Sequence, residues 1–195
     1  MKKLILISGV PASGKNYIAT TLLSSLPNTA YFDKDDLCDL VECTLKIAGQ
    51  SSNRDTDFFN QNIRPFEYKT IERLAFTSLR HADNAIINAP YVSQLKNENY
   101  MADLKQRAND NGAELAVIWV AVPDKEILRS RIEARGSERD VWKLTHFDEY
   151  YESIRLSPPF ALQECDAIDK LIVFEGDTES KFKESLTLTL EYIKE

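Results

Sequence analysis

The sequence is poor in cysteine and has no long apolar run. Three cysteines occur among 195 residues, and none has a C-x-x-C or Cys/His spacing typical of a metal site: Cys38, Cys43 and Cys165. An odd number of cysteines in an acidic chain is typical of reduced thiols in a cytosolic protein. No stretch approaches the roughly 20 apolar residues that cross a membrane, and the apolar run at residues 4–7 is too short for a secretory signal. We therefore expect a cytoplasmic protein without a membrane partner.

Positive charge is also scarce. The chain has 24 Lys and Arg against 31 Asp and Glu, which gives a formal net charge of −7. Proteins that coat nucleic acid gain affinity by neutralising phosphates with many basic side chains, so nucleic acid is not an expected partner. Hydrophobic residues make up 43% of the sequence, which is ordinary for a globular protein. The sequence has no repeat, low-complexity segment or Pro-, Gly- or Ser-rich linker, so we predict a single domain over residues 1–195.

Short apolar segments alternate with segments of helical periodicity. The apolar segments have the length and aliphatic character of parallel strands buried on both faces: residues 4–8, 30–32, 85–88, 115–122 and 171–174. Between them, Ile18, Leu22 and Leu26 form one helical stripe, and the last helix is predicted from about Glu179 to the end. Strands that alternate with helices imply right-handed crossovers. The predicted fold class is α/β, with three layers and a mainly parallel five-stranded sheet covered by helices on both faces.

The first predicted strand runs directly into a glycine-rich loop. Eight consecutive residues match the pattern G-x-x-x-x-G-K-[ST] at all but the last position: Gly9, Val10, Pro11, Ala12, Ser13, Gly14, Lys15 and Asn16. A helical stripe follows at once, and this order of strand, loop and helix supports a phosphate-binding loop. Backbone N–H groups and the positive helix end would hold the anion, and Lys15 would follow the transferred phosphoryl group. The prediction is a nucleotide site in a P-loop NTPase fold, and a glycine-rich turn without a ligand is the alternative.

Two asparagines stand where magnesium-associated residues are usual. The last loop position commonly carries a Ser or Thr hydroxyl that binds Mg²⁺. Here it is Asn16, whose amide oxygen is also a hard ligand. Nucleotide enzymes of this class often carry an aspartate near the end of the third strand, where this chain has Asn88. We therefore expect ATP with Mg²⁺ as cofactor, Asn16 as the candidate metal ligand, and weakened or rearranged metal binding.

Acidic residues follow the second predicted strand. Ligands of open α/β sheets bind beyond the carboxyl ends of the strands, and a carboxylate there can accept the proton of an attacking hydroxyl. Asp35 is the first candidate for this base; Asp33 is the second, with substrate binding as its further role. The competing interpretation is helix capping, in which Asp33 or Asp35 accepts from backbone N–H groups and Asp36 favours the positive helix end.

Four arginines occur within eleven positions: Arg129, Arg131, Arg135 and Arg139. Arginine forks suit phosphate binding, and an arginine carried by a closing lid stabilises charge during phosphoryl transfer. Residues 135–146 are rich in charge and lack helical periodicity, so we predict an arginine-rich lid there, with Arg135 and Arg139 as catalytic residues. Lys143 could join this lid. The alternative is a solvated helix whose arginines pair with nearby glutamates.

Further segments of the chain resemble those of the AAA_33-type predicted kinases, which are P-loop proteins allied to small-molecule kinases and zeta-toxin-like phosphotransferases. Besides the phosphate loop, the resemblance rests on residues 32–37 (FDKDDL), 53–55 (NRD), 64–68 (RPFEY), 88–91 (NAPY) and 139–144 (RDVWKL). It covers most of the chain up to about Tyr151. The loop is specific to a superfamily, and the later segments point to a subgroup within it.

The resemblance implies ATP binding at residues 9–16, a base or substrate ligand at Asp35, and lid contacts from Arg135 and Arg139. It also makes four residues candidates for the acceptor pocket: Arg54, Asp55, Arg64 and Tyr68. The expected function is a kinase that transfers the γ-phosphate of ATP to a small hydroxyl-bearing molecule, with Lys15 among its catalytic residues. The alternative, favoured by Asn16 and Asn88, is a nucleotide-binding protein with weakened or lost transfer. The acceptor and the choice between ATP and GTP stay open.

Overall fold

The computed structural model of the protein describes residues 1–54, 56–122, 124–136, 140–154, 158 and 166–195. Among these residues lie five strands: β1 (Lys2–Gly9), β2 (Thr29–Asp33), β3 (Asn84–Asn88), β4 (Ala113–Ala121) and β5 (Lys170–Glu175). They form one sheet in the order β2-β3-β1-β4-β5, and every neighbouring pair is parallel. Parallel neighbours need crossover connections rather than tight hairpins, so the chain passes through helices between the strands.

The helices of the described residues begin and end as follows: α1 Lys15–Ser25, α2 Cys38–Ile47, α3 Asp57–Asn62, α4 Arg64–Ser78, α5 Glu98–Asp110, α6 Lys125–Arg135, α7 Val141–Thr145, α8 Phe147–Ser153 and α9 Glu179–Lys194. Short 3₁₀ turns lie at Lys34–Leu37 and Gln94–Lys96. None of the described helices is both long and apolar enough to span a membrane.

Alternate residues of the central strand β1 face opposite layers. Leu4 and Leu6 pack with α4 and α5 in one core, whereas Ile5 and Ile7 pack with α1 and α9 in the other. All four side chains are fully buried. A strand covered on both faces needs apolar residues at successive positions, which explains the continuous aliphatic run in β1. The molecule therefore has three layers, with helices on both faces of the sheet.

The structure confirms the five predicted strands, with small differences at their ends, and the last helix. Within the segment predicted as a lid, residues Val141–Thr145 form a short helix, although the sequence shows no helical periodicity there. The reason is that this helix turns its large side chains to solvent: Val141 is 63% exposed and Trp142 is 52% exposed. A single turn that buries little surface leaves no apolar stripe in the sequence.

Candidate active site

The glycine-rich loop joins β1 to α1 through unusual backbone angles. Gly9 has φ 140° and Gly14 has φ 98°, and both values favour glycine. A Cβ atom on Gly9 would lie 2.4 Å from the carbonyl oxygen of Val120 in β4, so no larger residue fits there. Gly14 precedes α1 and provides no side-chain cap. The first N–H groups of α1 therefore have no side-chain acceptor from the N-cap residue, and such groups at a helix start can bind an anionic ligand.

The Lys15 ammonium lies inside this loop. Its Nζ donates to the carbonyl oxygens of Gly9 over 3.1 Å and of Val10 over 2.8 Å. The pKa of Lys15 is lowered to about 8, first by desolvation and then by the positive charge of Arg135. The carboxylates of Asp35 and Asp33 oppose this shift. The charges of Arg135, Asp33 and Asp35 therefore all act on the Lys15 ammonium.

A cavity of about 660 Å³ opens where β1, β2 and β3 end. This volume is in the range of small-molecule sites. Its lining contains eight of the residues that the sequence predicts for the site, namely Pro11, Ala12, Gly14, Lys15, Asn16, Asp33, Asp35 and Arg135, together with Lys34, Asn88, Ala89, Pro90, Arg131 and Lys143. Residues of the phosphate loop, of the turn after β2 and of the helices α6 and α7 thus meet in one cavity.

The two candidate bases differ in their surroundings. Asp33 caps the 3₁₀ turn that follows β2, because its Oδ1 accepts from the backbone N–H of Asp35 over 2.9 Å. Its Oδ2 accepts from the Tyr31 hydroxyl over 2.9 Å. The Asp35 side chain is 71% exposed and lies 3.6 Å from the Lys34 ammonium. The capping interpretation is therefore right for Asp33, while the Asp35 carboxylate stays accessible from the cavity.

Asn16 and Asn88 are direct neighbours in the structure. The Nδ2 group of Asn88 donates to Oδ1 of Asn16 over 2.8 Å and to Oδ2 of Asp33 over 2.8 Å, and the Tyr31 hydroxyl lies 3.0 Å away. Asn88 is buried, and its Oδ1 finds no hydrogen-bond partner in the described part of the chain. The two departures from the usual pattern therefore form one hydrogen-bonded corner, which also holds Asp33 in place.

The oxygens of this corner fit a magnesium ion only in part. Asn16 Oδ1 already accepts a hydrogen bond from the Asn88 amide, and a donor group beside it disfavours a cation. No group of three or more His, Cys, Asp or Glu that could hold a metal lies among the described residues. Magnesium in nucleotide sites commonly keeps several waters and binds one or two carboxylates plus phosphates. In such an arrangement Asp33 would supply the carboxylate and Asn16 an amide oxygen that it shares with the Asn88 amide.

One side of the cavity contains Arg135 at the end of α6 and Lys143 in α7. Asp140 lies between them and pairs with both: Nζ of Lys143 donates to Oδ1 over 2.6 Å, and Nε of Arg135 donates to Oδ2 over 2.6 Å. Arg135 thus lines the cavity, and its catalytic role in a lid stays a prediction. The other predicted lid arginine, Arg139, lies outside the described residues.

Arg131 is a site residue that the sequence-based prediction did not include. Its Nη1 donates to the carbonyl oxygen of Ser13 over 3.1 Å, and its Nη2 donates to that of Gly176 over 2.6 Å. It therefore ties the phosphate loop to the turn after β5. The only sequence signal for this role was its i, i+4 spacing from Arg135 on one helix face, since its partners are 118 and 45 residues away in the chain.

Of the acceptor residues that the resemblance implies, Arg54, Arg64 and Tyr68 do not line the main cavity. Arg54 is 3.8 Å from the buried carboxylate of Glu67, and Arg64 donates to the backbone carbonyl of Arg54 over 3.1 Å. Arg64 and Tyr68 line a second cavity of about 290 Å³. Lys34 connects the two regions, because it lines the main cavity and lies 3.4 Å from Glu67. Asp55 lies outside the described residues, and an acceptor role for all four stays a prediction.

Comparison with known proteins shows the family of the chain. Residues 4–155 match the model of the AAA_33 family, which is described as an AAA domain. The chain belongs to the AAA_33 family. No curated protein matches the sequence. The family agrees with the resemblance carried by the phosphate loop and the later segments of the sequence.

Solved structures of low sequence identity share the fold. A sugar kinase from Janibacter sp. is 16% identical with a TM-score of 0.58, and the match covers 97% of this chain and 96% of that one. A gluconokinase from Sinorhizobium meliloti is 14% identical with a TM-score of 0.54, covering 98% and 95%. Chaetomium thermophilum Kti12 in complex with ADP-AlF3 is 16% identical with a TM-score of 0.55, covering 97% and 98%. The predicted α/β P-loop fold is confirmed, and the fold is that of P-loop kinases.

Proposed function

We propose that the protein is an ATP-dependent phosphotransferase that moves the γ-phosphoryl group of ATP to a hydroxyl group of a small molecule. The observation that carries this proposal is the meeting of Lys15, Asp35 and Arg135 in one cavity beyond the strand ends. These residues supply a phosphate-binding cation, a reachable base and a second cation. This is the set of groups that phosphoryl transfer requires, because its catalysis consists mainly of positioning and charge stabilisation.

The loop would bind the nucleotide phosphates. The uncapped start of α1 and the backbone of residues 9–16 supply N–H donors. Lys15 would exchange its contacts with the Gly9 and Val10 carbonyls for phosphate oxygens, which restore a negative partner to its ammonium group. Gly9 keeps the start of the loop against β4. Binding of the nucleotide phosphates would thus rely on backbone N–H groups and on the Lys15 ammonium.

Asp35 would act as the base. Its exposed carboxylate can accept the proton of the acceptor hydroxyl while the hydroxyl oxygen forms a bond to the γ-phosphorus. The bond between the γ-phosphorus and the bridging oxygen breaks at the same time, and ADP leaves with that oxygen. Arg135, with Arg139 as a further lid candidate, would stabilise the charge that develops on the transferred group. A lid over residues 135–146 within a single domain belongs to the same proposal.

Magnesium, when bound with the nucleotide, would neutralise part of the phosphate charge. Asp33 and Asn16 are the residues that would hold it, and Asn88 would orient both by donating its amide hydrogens to them. These three side chains keep their positions through hydrogen bonds among themselves.

A second candidate function is nucleotide binding with little transfer. The Asn88–Asn16 hydrogen bond favours it, because it occupies an oxygen at the usual magnesium position. Such a protein would keep the phosphate contacts of the loop and bind ATP almost independently of Mg²⁺. Because such a protein transfers little phosphate, substitution of Asp35 would not change a measurable reaction rate.

A transfer assay separates these two functions. Wild type, Lys15→Ala and Asp35→Asn are incubated with ATP, Mg²⁺ and panels of sugars, polyols and other hydroxyl-bearing small molecules, and ADP release is measured. The kinase proposal predicts acceptor-dependent ADP release that Lys15→Ala abolishes and Asp35→Asn slows, while Asp35→Asn keeps its ATP affinity. Normal turnover by Asp35→Asn would remove Asp35 as the base. ATP binding without release for any acceptor would favour the second candidate.

A further inference from the structure

Asp140 is a fully buried carboxylate beside the main cavity, with 0% of its side chain exposed. It directly precedes α7, yet its side chain makes no capping hydrogen bond to that helix. Buried carboxylates are rare unless they are paired. The reason for burying this one therefore lies in its partners across the lid.

Both carboxylate oxygens of Asp140 face cations. Nε of Arg135 donates to Oδ2 over 2.6 Å, Nη2 of Arg135 contacts the same oxygen, and Nζ of Lys143 donates to Oδ1 over 2.6 Å. Burial acts to raise the pKa of Asp140, but the hydrogen bonds from Arg135 and Lys143 outweigh it and leave the pKa below its usual value. Asp140 is therefore ionised at neutral pH and holds cations from α6 and α7 together.

The same two cations line the cavity that contains the phosphate loop. The charge of Arg135 reaches Lys15, since it lowers the pKa of that residue. An arginine has five N–H donors and a lysine has three, so both side chains keep donors beyond those that face Asp140. The Arg135 side chain is 41% exposed and that of Lys143 is 23% exposed. Both are therefore accessible to a ligand in the cavity.

We propose that Asp140 is a positioning residue that holds Arg135 and Lys143 side by side, so that the two bind the terminal phosphate of the nucleotide as a pair. This rests on the proposed function. Two adjacent cations repel each other, and the anion between them offsets the repulsion before a ligand arrives. Tyr150 lies next to this group, and its pKa is raised to about 12, first by burial and then by the negative charge of Asp140. Tyr150 is thus neutral at pH 7, and the three charged groups carry a net charge of +1.

The affinity ratio of ATP to ADP tests this inference, because it reports on contacts to the terminal phosphate. Isothermal titration with each nucleotide in the presence of Mg²⁺ gives the ratio for wild type and for Asp140→Asn, which keeps the size of the side chain and removes its charge. We expect the preference for ATP to fall by about tenfold in Asp140→Asn, in line with the loss of charge-assisted contacts. The matched control is Glu133→Gln, which removes an exposed ion pair with Arg129 on the same helix and should leave the ratio unchanged. A purely structural Asp140 would lower the melting temperature of Asp140→Asn without changing the ratio.

Coupling between the cations gives a second test that does not need Asp140→Asn to fold. Arg135→Gln, Lys143→Met and the double variant are titrated in the same way. If the two act as a pair, the double variant should lose little more preference for ATP than either single variant. Additive losses, or an unchanged ratio in folded Asp140→Asn, would overturn the inference and leave the proposed function standing, as would wild type that binds ATP no tighter than ADP. Wild type that binds neither nucleotide would overturn the proposed function itself.

Discussion

The phosphate loop at residues 9–15 and the hydrogen-bonded pair Asn16 and Asn88 both contribute to the main cavity. The loop keeps the residues that are usual in such sites, whereas the asparagine pair departs from them. The loop keeps both glycines and the lysine, and each has a geometric reason in the structure: a close approach to Val120, a left-handed turn before α1, and an ammonium inside the loop. The corner replaces both usual magnesium-associated residues by amides that bond each other. The loop therefore keeps the usual pattern and geometry even though the neighbouring asparagines depart from it.

The largest effect on stability is expected for a substitution in the phosphate loop. Gly9→Ala should lower the free energy of unfolding by about 3 kcal/mol or more, because the new Cβ would lie 2.4 Å from a backbone oxygen and a left-handed φ is strained for alanine. Urea denaturation measures the loss. The matched control is Gly49→Ala, where φ is 67° and no atom lies within 4 Å, so only the backbone strain of about 1–2 kcal/mol remains. Equal losses in both variants would show that the close contact with β4 does not determine the loop.

The lowered pKa of Lys15 predicts a pH dependence of nucleotide affinity. Phosphate contacts favour the charged ammonium, which the unliganded protein loses as pH rises above about 8. Binding above that pH must therefore take up a proton, and ATP affinity should fall by at most about tenfold per pH unit. Below pH 8 this group should contribute no slope. Titrations between pH 7 and 10, repeated in two buffers of different ionisation enthalpy, measure both affinity and proton uptake. A flat profile through pH 8–10 would mean that Lys15 stays charged in the free protein.

A smaller effect is expected at the Asn16–Asn88 corner, where substitutions should change how strongly ATP affinity depends on Mg²⁺. Removal of Mg²⁺ should lower the ATP affinity of wild type less than that of Asn16→Ser, because Asn16 Oδ1 already accepts a hydrogen bond from the Asn88 amide. Asn16→Ser supplies the usual hydroxyl and should make ATP affinity depend on Mg²⁺ by about tenfold. Asn16→Ala is the matched control, since it removes the same hydrogen bond without adding a ligand. Strong Mg²⁺ dependence in wild type, equal to that of Asn16→Ser, would show that the corner holds the metal as it is.

The comparison also explains what could be predicted from the sequence. The strands and the loop were predictable because their signals are local: aliphatic runs, and glycines at fixed spacing before a helix. The asparagines were recognisable as departures, but their mutual hydrogen bond joins residues 72 positions apart. Arg131 was missed for the same reason, since its partners Ser13 and Gly176 are 118 and 45 residues away. Asp140 pairs with residues only five and three positions away, and it was missed because the sequence does not show that its carboxylate is buried.

The acceptor region shows the same limit. Arg54, Arg64 and Tyr68 came from the resemblance alone, and the structure places them around Glu67 and a second cavity. The connection to the main cavity runs through Lys34, whose contact with Glu67 spans 33 residues. Composition and periodicity contain no record of such a pair.

The most direct test of the central claim is the affinity of ATP for wild type and Lys15→Ala, measured by isothermal titration at pH 7 with Mg²⁺. Lys69→Ala is the matched control, because it removes an exposed lysine outside the cavity lining. The account predicts that wild type and Lys69→Ala bind ATP alike and that Lys15→Ala loses about a hundredfold in affinity or more, as expected for a lost charge-assisted contact to phosphate. Equal ATP affinity in all three proteins, or no binding to wild type, would contradict it.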